Sequence, residues 1–267
     1  KGLLEEGHYV NITTNGTLTK RFDEFLSLPP NLLMHLHFSF SFHFIELKNK
    51  NLLQVFFENV KKMRKNGCSI TVKLNLCDNY MEHIDEINSL CIKEVGSIPV
   101  LAITRLQDKD FKYFTNKTSK EYIDFGKQFD DKMFEITANS FNKKQKNFCY
   151  AGDWSCLLNL KTCTLTKCYS NKEISFDICK NIKEPIPFEA VGKHCRNEFC
   201  QNSEHFIVQG VIPKLNYPNY AEIRCKNPNW YSTEMYEFLQ QKFYDNNKQY
   251  NIFKKFKLNL KYAFKYE

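Results

Sequence analysis

Residues 35–44, HLHFSFSFHF, alternate strictly between polar and apolar. In an extended strand Leu36, Phe38, Phe40, Phe42 and Phe44 fall on one side, and His35, His37, Ser39, Ser41 and His43 on the other. HYVNIT (8–13), SITVKLNL (69–76) and PVLAIT (99–104) read as further strands. Between them the apolar period lengthens to that of a helix. Thr19 to Leu28 is a helical stretch stopped by Pro29 and Pro30. Asn51 to Asn66 puts Leu52, Leu53, Phe56, Phe57, Val60 and Met63 on one face and ends at Gly67. Met81 to Val95 is a third helix, closed by Gly96. Strand and helix in alternation predict βα units around a parallel sheet.

The pattern weakens from 106 to 148, where one helix is expected near 119–131. SCLLNL (155–160) and TLTKC (164–168) predict two short strands of a hairpin, and Pro185, Pro187 and Pro213 mark a loop-rich remainder. A last helix is expected from Thr233 to Tyr244. The tail FKLNLKYAF (256–264) alternates and reads as an edge strand or an interaction tail. Three segments result: 1–148, an α/β unit; 149–225, a cysteine-rich module; and 226–267, a helix and tail.

Composition narrows the function. No apolar run is long enough to span a membrane, and no secretory signal pattern opens the chain, so a cytoplasmic setting is expected. The opening KGLLEEGHYV reads as if already inside a helix, which predicts an N-terminally shortened piece. The net charge of +8 is spread along the chain as lysine, so a nucleic-acid partner is not expected. There are 11 cysteines. Eight lie between 149 and 225, and CYAGDWSCLLNLKTCTLTKC (149–168) holds four of them. In a long chain without a secretory signal, clustered cysteines read as metal ligands before disulfides. Cys149 and Cys168 bracket the predicted hairpin, and Cys195 and Cys200 form a later C-x4-C pair. Two such pairs can close around a zinc ion or an iron–sulfur cluster. Cys156, Cys163, Cys179 and Cys225 read as extras, small apolar residues by default.

The 149–168 stretch resembles the SPASM or twitch extension of radical S-adenosylmethionine (SAM) enzymes. That pattern runs cysteine, glycine, cysteine. Cys149 and Cys168 match its cysteines, and Cys163 occupies its glycine position, a place suited to positive φ. HCRNEFC (194–200) would supply Cys195 and Cys200. ITTNGTL (12–18) and FSFSFHFIEL (38–47) are similar to strands of the radical SAM barrel. The TNG, SFH, CYAGDWS and GVIP details are similar to a subgroup associated with bacterial polysaccharide gene clusters.

The resemblance covers roughly residues 1–225. It implies a partial (βα)6 TIM-like barrel lacking its first units, followed by a module holding one auxiliary [4Fe-4S] cluster. It also implies a SAM-and-substrate cavity at the C-terminal strand ends, where Thr14, Asn15, Ser39, Ser41, His43, Asn75 and Arg105 would make contacts. The C-x3-C-x2-C loop of the SAM-cleaving cluster is absent from this sequence. SAM, a second [4Fe-4S] cluster, a flavodoxin or ferredoxin reductant and a 5′-deoxyadenosyl radical acting on an unknown substrate are therefore expected only of a full-length enzyme. The alternatives are a binding module built on a four-cysteine zinc site, or an inactive fragment.

Overall fold

The computed structural model describes residues 1–106, 112–141, 143–169, 173–195, 197, 200 and 203–265. The chain is mixed α/β and divides into two compact units: 1–138 with 221–240, and 139–220 with 241–267. The stretch 226–267, expected as one C-terminal segment, is thus shared between them. No helix among the described residues is long and apolar enough to cross a membrane.

The first unit is built on four parallel strands: β1 (Val10–Thr14), β2 (Leu36–Ser41), β3 (Ser69–Leu76) and β4 (Val100–Ile103), in that order across the sheet. Parallel neighbours need crossovers. These are supplied mainly by α1 (Thr19–Phe25), α2 (Leu53–Lys65) and α3 (Ile84–Val95). Gly96 closes α3 in the left-handed conformation, φ 77°. The expected helix at 119–131 is two helices, α4 (Ser119–Lys127) and α5 (Lys132–Ser140). Asp130, at φ 45°, breaks the run, and Asp131 accepts the Phe134 N–H to restart it.

Register sorts the side chains by face. Ile12, Phe38 and Ile70 lie side by side, as do Thr14, Phe40 and Val72. This side is the core. Phe56 of α2 meets Phe40 edge-on at 5.9 Å and stacks on Phe42 at 5.1 Å, while Phe22 of α1 covers Phe38 and Phe40. The turn after β1 fits beneath them only because residue 16 is glycine. Gly16 has φ 75°, and a Cβ there would lie within 2.6 Å of the Phe56 ring. Buried Asn59 fastens that turn, donating to the Gly16 carbonyl at 2.9 Å.

The other face is polar: Thr13, Ser39 and Thr71 form one row, and Ser41 pairs with Lys73 in the next. Half of it is covered by the chain itself. Arg224, at the end of α6 (Tyr220–Arg224), donates to Ser39 Oγ at 3.1 Å. Tyr231 Oη meets Thr71 Oγ1 at 3.0 Å, and Thr71 Oγ1 meets His37 Nε2 at 2.9 Å. The unit is completed by α7 (Thr233–Gln240), which ends before the predicted Tyr244.

The second unit carries an antiparallel sheet of β5 (Leu157–Asn159), β6 (Thr164–Thr166) and β7 (Ile174–Asp177). The first two are the expected hairpin; β7 had no clear sequence signal. Tyr150, Ile207, Val211, Ile212 and Tyr250 form its core. The tail, expected as an edge strand or an interaction tail, is a helix, α8 (Ile252–Lys265), and not a strand. Leu258 and Tyr262, one helical turn apart, are its buried contacts, so helical spacing satisfies the core better than alternation does.

Candidate metal centre

Cys149 begins a short extended run that pairs antiparallel with residues around Gly192. Its N–H donates to the Gly192 carbonyl at 3.0 Å and its carbonyl accepts from Gly192 at 2.9 Å. Val191 donates to Ala151 at 2.8 Å, and Glu189 to Gly152 at 3.0 Å. Cys195 follows this ladder by three residues in the sequence. Gly152, at φ 94°, makes the close approach possible: a Cβ there would overlap the Glu189 carbonyl and lie 2.8 Å from Lys167 Cγ. Residue 167 is so drawn against the same turn, and Cys168 follows it. Cys149, Cys168 and Cys200 all pack against the core of this unit.

The electrostatics of Cys149 show the result. Burial pushes its thiol well above the usual cysteine range, and the Ala151 N–H, 3.5 Å from Sγ, acts against that. Charge on Cys200, Cys168 and Cys195 raises it further. The four cysteines singled out in the sequence are therefore electrostatic neighbours. Four thiolates in one partly desolvated place repel each other strongly unless a cation or cationic cluster neutralises them. Amide donors already face the sulfurs: Asn197 Nδ2 lies 3.6 Å from Cys195 Sγ. Such donors stabilise thiolates and tune a bound centre. Among the described residues no three His, Cys, Asp or Glu side chains stand at the spacing that holds a metal ion. Closing the ring of thiols onto a metal would draw them inward, which couples loading to local folding. Arg196, Glu198 and Phe199 of HCRNEFC lie outside the described residues.

The remaining cysteines are thiols in other settings. Cys68 and Cys91 are buried in the first unit, and burial pushes both up to about 12. Cys156 and Cys179 are exposed. Cys163 has φ 55°. That is the left-handed backbone that suits the glycine of the pattern, and it costs a non-glycine residue about 1 kcal/mol.

The seven residues expected at a SAM cavity are dispersed over the first unit. Ser39, Ser41 and Asn75 share the polar face of the sheet. Ser39 is buried beneath Arg224, where it also donates to Asn11 Oδ1 at 3.0 Å. Ser41 is half-buried and Asn75 exposed. Thr14 belongs to the opposite, apolar side by register, and its hydroxyl accepts the Gly16 N–H at 3.2 Å. Asn15 Oδ1 is occupied within the same turn by Thr17. His43 follows β2 and precedes a short helix, and Arg105 bridges to Tyr113 just past β4. The polar row of β2, a strand paired on both sides, is therefore not wholly a cavity wall. Its first half is plugged by Arg224 and Tyr231, and its second half, with Lys73, stays accessible.

Sequence reasoning missed Arg224 and Tyr231, which reach Ser39 and Thr71 from more than 150 residues away. It also missed the group around Glu189. Lys167, Lys261 of α8 and Tyr262 all donate to that carboxylate, with Lys261 at 2.7 Å. Burial alone would raise its pKa, but these three partners outweigh burial and hold it at about 2. A carboxylate depressed in the fold contributes stability above its ordinary range, and that contribution is lost as pH falls toward the folded value. Glu189→Gln is expected to speed amide hydrogen exchange in α8 at pH 7. The wild type should approach the variant's rates only as pH falls from about 4.5 toward about 2, the range set by the ordinary and folded values. Equal protection of α8 in both proteins at pH 7 would contradict the role given to Glu189.

No family model, no curated protein and no solved structure matches this chain.

Proposed function

We propose that this chain belongs to a radical SAM enzyme. On this reading the first unit is part of a (βα)6 TIM-like barrel, and Cys149, Cys168, Cys195 and Cys200 hold an auxiliary [4Fe-4S] cluster beside it in sequence. The observation that supports the reading is that Cys149, Cys168 and Cys200 pack against one core, with charge on Cys168, Cys195 and Cys200 acting on the buried Cys149 thiol. Two further features support it. The glycine position of the twitch-like pattern has a left-handed backbone, and the parallel sheet presents a polar face with an accessible C-terminal half.

The chain's own residues have definable tasks. The ladder between 149–152 and 189–192 fixes the backbone at Cys149. The Ala151 N–H and the Asn197 amide face the sulfurs and would disperse thiolate charge. Ser41, Lys73 and Asn75 would meet the polar groups of SAM or substrate, with Asn15, His43 and Arg105 at the strand ends. Thr14, turned into its own loop, leaves this set. When bound, an auxiliary cluster of this kind relays an electron or anchors a substrate. SAM cleavage is not assigned to the sequence in hand, which lacks C-x3-C-x2-C. A flavodoxin or ferredoxin reductant, a cytoplasmic setting and a link to polysaccharide synthesis belong to the same proposal.

The test is low-temperature electron paramagnetic resonance of anaerobically reconstituted, chemically reduced protein. A cluster signal is expected, and it should disappear in Cys168→Ala. A silent, colourless protein that holds zinc would overturn the reading in favour of a zinc-stabilised binding module.

A further inference from the structure

The helix α8 has two apolar faces, and the core accounts for only one. Leu258 and Tyr262 are buried against the second unit. The Lys255 ammonium lies over the Phe148 ring at 5.2 Å, and that of Lys254 over Tyr250 at 3.6 Å. These contacts fix the helix by one side. The opposite side carries Ile252, Phe253, Phe256 and Leu260, which are 77, 80, 63 and 43 % exposed. Phe253, Phe256 and Leu260 recur at the spacing of a single helical stripe. Single exposed apolar residues are ordinary, but a contiguous ridge with two phenylalanines marks an interaction surface.

The charge on the helix says what it meets. Ile252–Lys265 holds five lysines and no acidic residue. Lys254, Lys257 and Lys261 are exposed; Lys254 also lies over Tyr250 and Lys261 donates to Glu189, which leaves Lys257 as the lysine of the three with no such contact among the described residues. By helical geometry all three flank the ridge on the same side. Lysine stems can lie along apolar surface while their ammonium groups reach outward. Phenylalanine and leucine on one face with lysines alongside are the marks of a helix that lies in a membrane interface. From this we infer that α8 seats the protein on the surface of an anionic lipid bilayer, its ridge in the headgroup region and its lysines on lipid phosphates and carboxylates. The protein would lie on the membrane, not cross it. This inference does not depend on the cluster or on the radical SAM reading.

The experiment is co-sedimentation of the full chain with vesicles of neutral phosphatidylcholine, and with vesicles in which about one third of the lipid is phosphatidylserine. Binding is expected on the anionic vesicles and should fall as salt rises. Lys257→Gln should weaken it by roughly fivefold, at about one surface lysine's attraction. Phe253→Ser, Phe256→Ser and Leu260→Ser together should abolish it while leaving the circular dichroism spectrum unchanged, because none of the three is in the core. Wild-type protein that is folded yet stays in the supernatant with anionic vesicles would overturn the inference. So would binding that survives the triple substitution. Light scattering distinguishes the other occupant: a lipid-independent dimer that the triple substitution converts to monomer would assign the ridge to a second copy and also overturn it.

Discussion

Cys149→Ala is expected to remove most of the iron that the wild-type protein takes up on anaerobic reconstitution. Its thiol is buried and acted on by charge from Cys168, Cys195 and Cys200, and its backbone is fixed by pairing with Gly192; on the proposed reading it is a ligand. Losing one thiolate of four opens the ring to water and leaves one iron site without its protein ligand. Cys168→Ala, Cys195→Ala and Cys200→Ala should each do the same to a smaller or equal degree. Cys68→Ala is the control. That thiol is buried in the core of the first unit, whereas the four proposed ligands belong to the second. Iron bound to the Cys68 variant should match the wild type. Equal loss of iron from all five variants would contradict the ligand assignment.

The second large effect concerns the scaffold. Phe56→Ala should destabilise the first unit by about 3–5 kcal/mol, as large-to-small changes in aromatic cores do. Phe56 is completely buried, contacts the rings of Phe40, Phe42 and Phe57, and forms the wall against which Gly16 turns. Alanine would leave a cavity between sheet and helix, bounded by a turn held by Asn59 that cannot easily collapse into it. Such a loss is a large part of the about 5–15 kcal/mol that typical domains possess. Denaturant unfolding should show it as a lower midpoint. Phe253→Ala, on the exposed side of α8, should change stability by less than about 0.5 kcal/mol. A loss below about 1 kcal/mol for Phe56→Ala would mean the packing described for this face is wrong.

The parts of the fold that were legible in the sequence are those where one period dominates. HLHFSFSFHF and SITVKLNL announced strands, and Asn51–Asn66 announced its helix, because each buries one face against a single neighbour. The tail misled because Leu258 and Tyr262 face the core while Phe253, Phe256 and Leu260 face outward. A helix apolar on two sides loses the polar stripe that marks its period. Strand β7 was illegible because Ile174–Asp177 is short and mostly exposed, so pairing with β6 rather than burial defines it. Of the proposed site, the four cysteines stand out in the sequence by type and spacing. The backbone pairing that fixes Cys149 does not. Gly152 and the Cys149–Gly192 pairing are long-range geometry with no local pattern, and the partners of Ser39 and Thr71 lie more than 150 residues along the chain.

The most direct test of the central claim is metal and acid-labile sulfide content, read with a visible spectrum, on protein purified without oxygen. Brown protein with about four iron and four sulfide per chain and a broad thiolate-to-iron band is expected. Colourless protein that contains zinc, or no metal after reconstitution, would contradict that claim.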